Sequence, residues 1–275
     1  MLLPEPTTVS GRSALADVIA EPARALIAVD YDGTLAPIVE RPENARPAPG
    51  AVQCLAALAD RVGAVAVVSG RAALDAVALG GLDGVPRLQV LGHYGLERWA
   101  DGRLEAPGPA ASVALARQRL AELLLDAPAG VHLEDKHHSL VVHTRPAGDP
   151  AGALVALTAP VGRLAAELGL EVVPGRMVLE VRPPGVDKGT ALRALVAERD
   201  SHAVVYIGDD VGDVPAFAVV DELRHSGLAG LKIASVDPAL DDAPRELAAA
   251  ADLILAGPAD VVTFLFELAA AIGEV

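Results

Sequence analysis

The sequence is poor in cysteine, aromatic side chains and positive charge. Cys54 is its one cysteine, so no disulfide forms within the chain, which fits a reducing compartment. It lies in "AVQCLAALA", where apolar residues recur at helical spacing, and reads as a small buried side chain rather than a reactive thiol. Aromatic residues make up only 3%, so the interior has to be built from Ala, Val and Leu. Lys and Arg total 22 against 37 Asp and Glu, a formal charge of −15. A body this acidic repels nucleic acid and anionic lipid, so neither is expected as a partner. It repels an anionic metabolite too, unless a metal ion or named local cations reverse the field. No basic segment followed by an apolar core opens the sequence, and no charge-free apolar run reaches membrane-spanning length. A soluble, cytoplasmic protein is the expectation.

What is present is the balance of a globular protein: 275 residues, 52% hydrophobic and 21% charged, enough for one large domain or two smaller ones. Short, uniformly apolar runs at 25–30, 64–68, 88–92, 203–207, 231–235 and 252–256 read as strands covered on both faces. Helical stretches at 50–61, 71–79, 189–199, 214–225 and 258–272 separate them, an alternation that predicts a parallel sheet with helices on both sides. From about 100 to 184 the pattern changes to helix (111–125), two strands (131–134, 139–144), helix (150–168) and two strands (171–174, 177–182). The fold class is therefore α/β, a parallel-sheet core with an inserted smaller α+β domain. The core takes residues 1–99 and 185–275, with 1–23 as an N-terminal extension, and the insert takes 100–184. The connections at 98–104 and 183–186 are expected to serve as hinges.

"AVDYDGTLAPIV" sets Asp30 and Asp32 one residue apart at the end of a buried strand, with Gly33 free to turn. Ligands sit at the carboxyl ends of such strands, and two carboxylates there suit a hard cation such as Mg²⁺. Strand 203–207 ends in "GDDVGDV", which brings Asp209, Asp210 and Asp213 to the same edge. Asp213 alone fits as the cap of the following helix, but a metal accounts for the whole set. "VVSGRAAL" places Ser69, Gly70 and Arg71 at a helix start, where hydroxyl and backbone N–H groups suit a phosphate oxygen. Lys188 in "GVDKGTAL" also opens a helix, against the dipole, a placement that a carboxylate or phosphate partner explains.

The ordered set D-x-D-G-T, S-G-R, K-G and G-D-D-x-x-D resembles the haloacid dehalogenase (HAD) superfamily of phosphotransferases. Within it, "DYDGTLAPIVERPENARP", "VVSGR", "GHYGLE", "LEDKHHSLVVHTRP", "VLEVRPPGVDKGTAL" and "YIGDDVGDVPAF" are similar to the trehalose-6-phosphate phosphatase family. Two departures stand out: Gly212 and Val214 replace residues that are polar in the family, and His93-Tyr94-Gly95 replaces its usual His-Gly motif.

The resemblance implies a HAD-like (Rossmannoid) core and a Mg²⁺-dependent phosphatase acting on trehalose 6-phosphate, a small-molecule partner, as a monomer. It implies Asp30 as nucleophile and Asp32 as general acid and base. Mg²⁺ would be held by Asp30, the Asp32 carbonyl and Asp209, with Asp213 orienting a metal-bound water and Asp210 sharing that task or holding Lys188. Ser69, Gly70, Arg71 and Lys188 would hold phosphate. Substrate recognition falls on Glu134, Lys136, Arg145, Glu180, His93 and Tyr94. Glu134 with Lys136, His143 with Arg145, and Glu180 with Arg182 each share a strand face. The alternatives are a phosphatase or mutase of another sugar phosphate, and a non-catalytic sugar-phosphate sensor. A phospho-accepting receiver domain is too short and lacks the insert.

Overall fold

Every uniformly apolar run picked out above forms a strand. In the computed structural model, which describes residues 3–175, 177–237 and 245–273, helix α1 (Val9–Ala20) leads into β1 (Ala25–Val29), α2 (Ala51–Ala59), β2 (Ala64–Val68) and α3 (Ala73–Gly80). Strands β3 (Leu88–Gly92), β4 (Glu97–Ala100) and β5 (Arg103–Glu105) follow. Next come α4 (Ala111–Leu123), β6 (His132–Asp135), β7 (Leu140–His143), α5 (Pro150–Glu167), β8 (Glu171–Gly175) and β9 (Val178–Arg182). The last section holds α6 (Lys188–Arg199), β10 (Ala203–Gly208), α7 (Val214–His225), β11 (Ala229–Ser235), α8 (Arg245–Ala250), β12 (Leu253–Leu255) and α9 (Pro258–Gly273). No helix among the described residues is long and apolar enough to cross a membrane.

Two compact units result: Met1–Glu105 with Asp187–Val275, and Ala106–Val186. The first contains one sheet in the order β12-β11-β10-β1-β2-β3-β4-β5. It is parallel from β12 to β3, and β4 and β5 add to it antiparallel. Every residue of β1, β2, β3 and β10 is buried, because alternate side chains enter two separate cores. Ile27, Val29, Val65 and Val67 join one, and Leu26, Ala28, Ala66 and Val68 the other.

One sequence expectation is corrected in this unit. Residues 98–104 are not a hinge: they form most of the β4–β5 hairpin, whose buried Trp99 belongs to the first core. The unit therefore runs to Glu105 rather than 99, and resumes at Asp187 rather than 185. The opening segment packs into this unit. Helix α1 buries Ala14, Leu15 and Val18 in the same core, and its N-cap Thr8 donates its hydroxyl to Asp252 Oδ1 at 2.5 Å.

The second unit is a four-stranded antiparallel sheet in the order β6-β7-β9-β8. Leu140, Val142, Leu179 and Val181 line one face and pack on Val113 and Leu120 of α4 and Leu157, Val161 and Leu164 of α5. The other face carries Glu134, Val141 and Glu180 in one registered row across β6, β7 and β9.

Candidate active site

Strands β10, β1 and β2 are neighbours at the middle of the first unit's sheet and run parallel. Asp209, Asp30 and Ser69 directly follow them, so one sheet edge collects three of the residues singled out from sequence. Helix α6 delivers a fourth. Its N-cap Asp187 accepts the Thr190 N–H at 2.7 Å, and its first residue is Lys188.

Lys188 is 4% exposed and Asp30 3% exposed. The Lys188 Nζ lies 2.8 Å from Asp30 Oδ1 and 2.8 Å from Asp213 Oδ1, but 3.9 Å from Asp210 Oδ1. Asp213, not Asp210, is therefore the second holder of the lysine. Asp213 is wholly enclosed. Its Oδ1 also accepts the Tyr206 hydroxyl at 2.7 Å, and its Oδ2 accepts the backbone N–H groups of Asp209 at 3.0 Å and Asp210 at 3.2 Å. The sequence suggests Asp213 as the cap of α7, but its side chain makes no such bond; both oxygens bind the lysine, the tyrosine and the preceding loop instead. Asp210 makes the local turn by accepting the Gly212 N–H at 2.8 Å. Val214, where the family has a polar residue, packs against the second core.

Asp30, Asp209 and Asp213 each present a carboxylate oxygen, all within 4.8 Å of one another. Hard anionic oxygens at this spacing fit Mg²⁺. Gly33 makes room for the group: its φ is +78°, and a Cβ there would lie 1.9 Å from Asp209 Oδ2. The loop carbonyl of Gly33 is tied down by the Ser235 hydroxyl at 2.7 Å.

Asp32 sends its carboxylate elsewhere. Arg71 grips it with Nε to Oδ2 and Nη2 to Oδ1, both at 2.6 Å, and the guanidinium lies 5.4 Å from the centre of the Tyr31 ring. Arg71 thus reaches the site as the partner of Asp32. Its own N–H donates to the buried Ser69 Oγ at 3.1 Å, which shapes the Ser69-Gly70-Arg71 turn. His93 and Tyr94 brace that turn from behind, with His93 N–H donating to the Arg71 carbonyl at 2.8 Å and Tyr94 N–H to the Ser69 carbonyl at 2.9 Å. Both have left-handed φ, +47° and +58°, a conformation that needs such anchoring in a residue with a side chain. His93 also sits 3.7 Å from Glu97, whose other oxygen accepts the Ala73 N–H of α3 at 2.8 Å.

Burial pushes the Asp30 carboxyl well above the usual range, against the pull of Lys188 and with help from Asp213 and Asp209. Asp209 is pushed up to about 8, by burial first and then by Asp210 and Asp213. Burial would lower Lys188, but Asp213 and Asp30 outweigh it and hold the ammonium well above its ordinary value. One lysine leaves this carboxylate cluster short of positive charge, the deficit a divalent ion removes.

In the second unit, Glu134 Oε2 accepts from His143 Nε2 at 2.7 Å, and Glu180 Oε1 accepts the Ser139 hydroxyl at 2.7 Å. Lys136 lies just past β6 and its N–H pairs with the Ser139 carbonyl at 3.0 Å. Arg145 is exposed beyond the end of β7, so it does not continue the strand's alternation. Arg182 ties β9 to β8 through Glu171 at 2.9 Å.

Sequence reasoning missed Tyr206, Tyr31 and Ser235. Tyr206 carries the one signal that was available, a lone polar-tipped aromatic inside an otherwise aliphatic strand.

The model of the trehalose-phosphatase family matches residues 28–239. The chain belongs to the trehalose-phosphatase family. Among relatives, the trehalose-phosphate phosphatase of Mycobacterium avium is 37% identical over 252 residues, covering 87% of this chain and 61% of its own. An uncharacterized glycosyl hydrolase of Mycobacterium tuberculosis is 37% identical over 219 residues, covering 74% of this chain but 16% of its own. The chain thus spans less than two thirds of each of these curated relatives, 61% of one and 16% of the other. The solved C-terminal domain of the Candida albicans trehalose-6-phosphate phosphatase superposes with a TM-score of 0.70 at 23% identity, covering 98% of this chain and 99% of that one. That likeness extends this family's fold over both units.

Proposed function

We propose that the chain hydrolyses trehalose 6-phosphate to trehalose and phosphate, with Asp30 as nucleophile and Asp32 as general acid and base. The observation that carries the reading is the buried contact of Lys188 with Asp30, 2.8 Å, beside Asp209 and Ser69 at one sheet edge. A nucleophilic carboxylate needs a cation that keeps it aimed and then shares the incoming phosphoryl oxygens.

An Asp30 oxygen attacks phosphorus, and the bond from phosphorus to the sugar oxygen breaks. Asp32 gives the departing sugar oxygen its proton. It then takes a proton from water, whose oxygen attacks phosphorus and releases phosphate from Asp30. For this, Asp32 leaves the Arg71 fork, and the arriving phosphate dianion is the competing acceptor for the guanidinium. Ser69 and Lys188 hold phosphoryl oxygens. Asp30, Asp209 and the Asp32 carbonyl would hold Mg²⁺, which when bound neutralises charge on the phosphoryl group. Asp213, with both oxygens already engaged, supports the site through Lys188 and the Asp209 backbone. Recognition of the sugar falls to Glu134, Lys136 and Glu180, because carboxylates and ammonium groups lose bonds when a hydroxyl is missing.

Phosphate release from a panel of sugar phosphates, with Mg²⁺ and with EDTA, tests the reading. Trehalose 6-phosphate should give the highest kcat/KM, and EDTA should abolish turnover. Preference for a hexose or sucrose phosphate would overturn the substrate assignment.

A further inference from the structure

Ser139, just before strand β7, and Val141 and His143 within it alternate along one face, and the two carboxylates proposed to read the sugar flank the middle residue, Val141. Glu134 of β6 is the registered partner of Val141, and Val141 that of Glu180 in β9. The two residues therefore stand about two strand spacings apart at the backbone, roughly 10 Å. Each leans along β7 in the opposite direction. Glu134 reaches diagonally to His143 Nε2 at 2.7 Å, and Glu180 to the Ser139 hydroxyl, also 2.7 Å. Diagonal neighbours of this kind are within reach of long side chains on an antiparallel sheet.

The His143 ring is itself fixed. It stacks on His132, its registered partner, with ring centres 4.8 Å apart and planes 3° from parallel. Val141, between the two carboxylates, is buried and apolar, so each glutamate finds its polar partner on the middle strand only at the diagonal position, His143 or Ser139. Each carboxylate is thus anchored through one oxygen at opposite ends of the row of Ser139, Val141 and His143.

We propose that His143 and Ser139 are positioning residues that aim Glu134 and Glu180 at hydroxyls on two separate rings of a disaccharide phosphate. This rests on the proposed role of the two glutamates and deepens it, since a spacing wider than one pyranose ring selects against monosaccharide phosphates. A glutamate without its anchor loses rotamer freedom only on binding, and the lost order appears in KM.

Steady-state kinetics on trehalose 6-phosphate and p-nitrophenyl phosphate test the inference, with His143→Gln, His143→Asn, Ser139→Ala and Glu134→Gln. Gln sets an amide nitrogen near the Nε2 position and Asn does not. The inference expects His143→Asn and Ser139→Ala to raise KM for trehalose 6-phosphate about tenfold with kcat held within about twofold, the factor of one hydrogen bond to a charged group. The preference for trehalose 6-phosphate over the aryl ester falls in step, and His143→Gln recovers most of it. Equal losses on both substrates, or Gln behaving as Asn, would assign His143 a merely structural role and overturn the inference. If Glu134→Gln is selective and the His143 and Ser139 variants are not, the inference fails and the proposed function stands. If Glu134→Gln itself leaves the preference intact, the sugar-reading role fails and takes the inference with it.

Discussion

Asp32 accepts both arms of the Arg71 guanidinium, each at 2.6 Å, across 39 positions of sequence. A forked pair fixes the plane and direction of a carboxylate in a way that one hydrogen bond does not. In this account Asp32 starts the reaction from a set orientation, and phosphate draws the guanidinium away.

Asp32→Asn should therefore lose on the order of a hundredfold or more in kcat, the range of a removed general acid, with its melting temperature little changed. Arg71→Ala should lower kcat/KM by roughly tenfold or more on every phosphate monoester, sugar or aryl, because the guanidinium reads phosphate and not sugar. Phosphate release on both substrate types measures this. A loss confined to trehalose 6-phosphate would contradict it.

Asp213 bears the structural burden of the site. Asp213→Ala leaves the buried Lys188 ammonium with Asp30 at 2.8 Å as its one close carboxylate, Asp210 standing 3.9 Å away, and takes away the acceptor for two loop N–H groups. Removing one partner of a buried pair destabilises by about 3–5 kcal/mol. Tyr206→Phe deletes one of four bonds to the same carboxylate and should destabilise by about 1 kcal/mol. Denaturant midpoints of the two variants give the comparison, and similar small shifts in both would contradict the brace.

Gly33→Ala tests the close approach to Asp209. With a Cβ 1.9 Å from Asp209 Oδ2 and φ at +78°, the substitution has to displace either the loop or the carboxylate. Activity and the rise in melting temperature on adding Mg²⁺ should be lost together. Full retention of the Mg²⁺ response would separate Gly33 from the ion's site.

The raised carboxyls set a pH dependence. Asp209 stands at about 8 against an ordinary 3.8, so between those values the metal-free folded protein keeps a proton that the unfolded chain has released. A proton bound more tightly in the folded state means stability falls as pH rises through that window. Asp30 shifts in the same direction. Mg²⁺ favours the ionised carboxyls and should cancel the fall, so the gain in melting temperature from Mg²⁺ over EDTA should grow from pH 5 to pH 8. A gain of constant size, or one that shrinks, would contradict the assignment.

The sheet was legible because strands buried on both faces leave uninterrupted apolar runs, as "ALIAV" and "AVVYI" do. The polar residues that end those runs, Asp30, Ser69 and Asp209, were legible for the same reason: they break the apolar pattern at the carboxyl ends of the strands. Partnerships were not legible. Nothing local to Arg71 shows that it meets Asp32, and nothing near Asp213 shows that it holds Lys188 rather than capping α7, because both contacts are made by the fold. The β4–β5 hairpin was missed since "ERWA" and "RLE" are short and half polar, as edge strands are, and only Trp99 is buried in the core.

The proposed mechanism requires Asp30 to carry the phosphoryl group during turnover. Acid quench during turnover of trehalose 6-phosphate, followed by peptide mapping, tests it most directly. A phosphoryl group is expected on Asp30, absent in Asp30→Asn along with phosphate release. Turnover by Asp30→Asn at the wild-type rate, or the phosphoryl group on another residue, would contradict it.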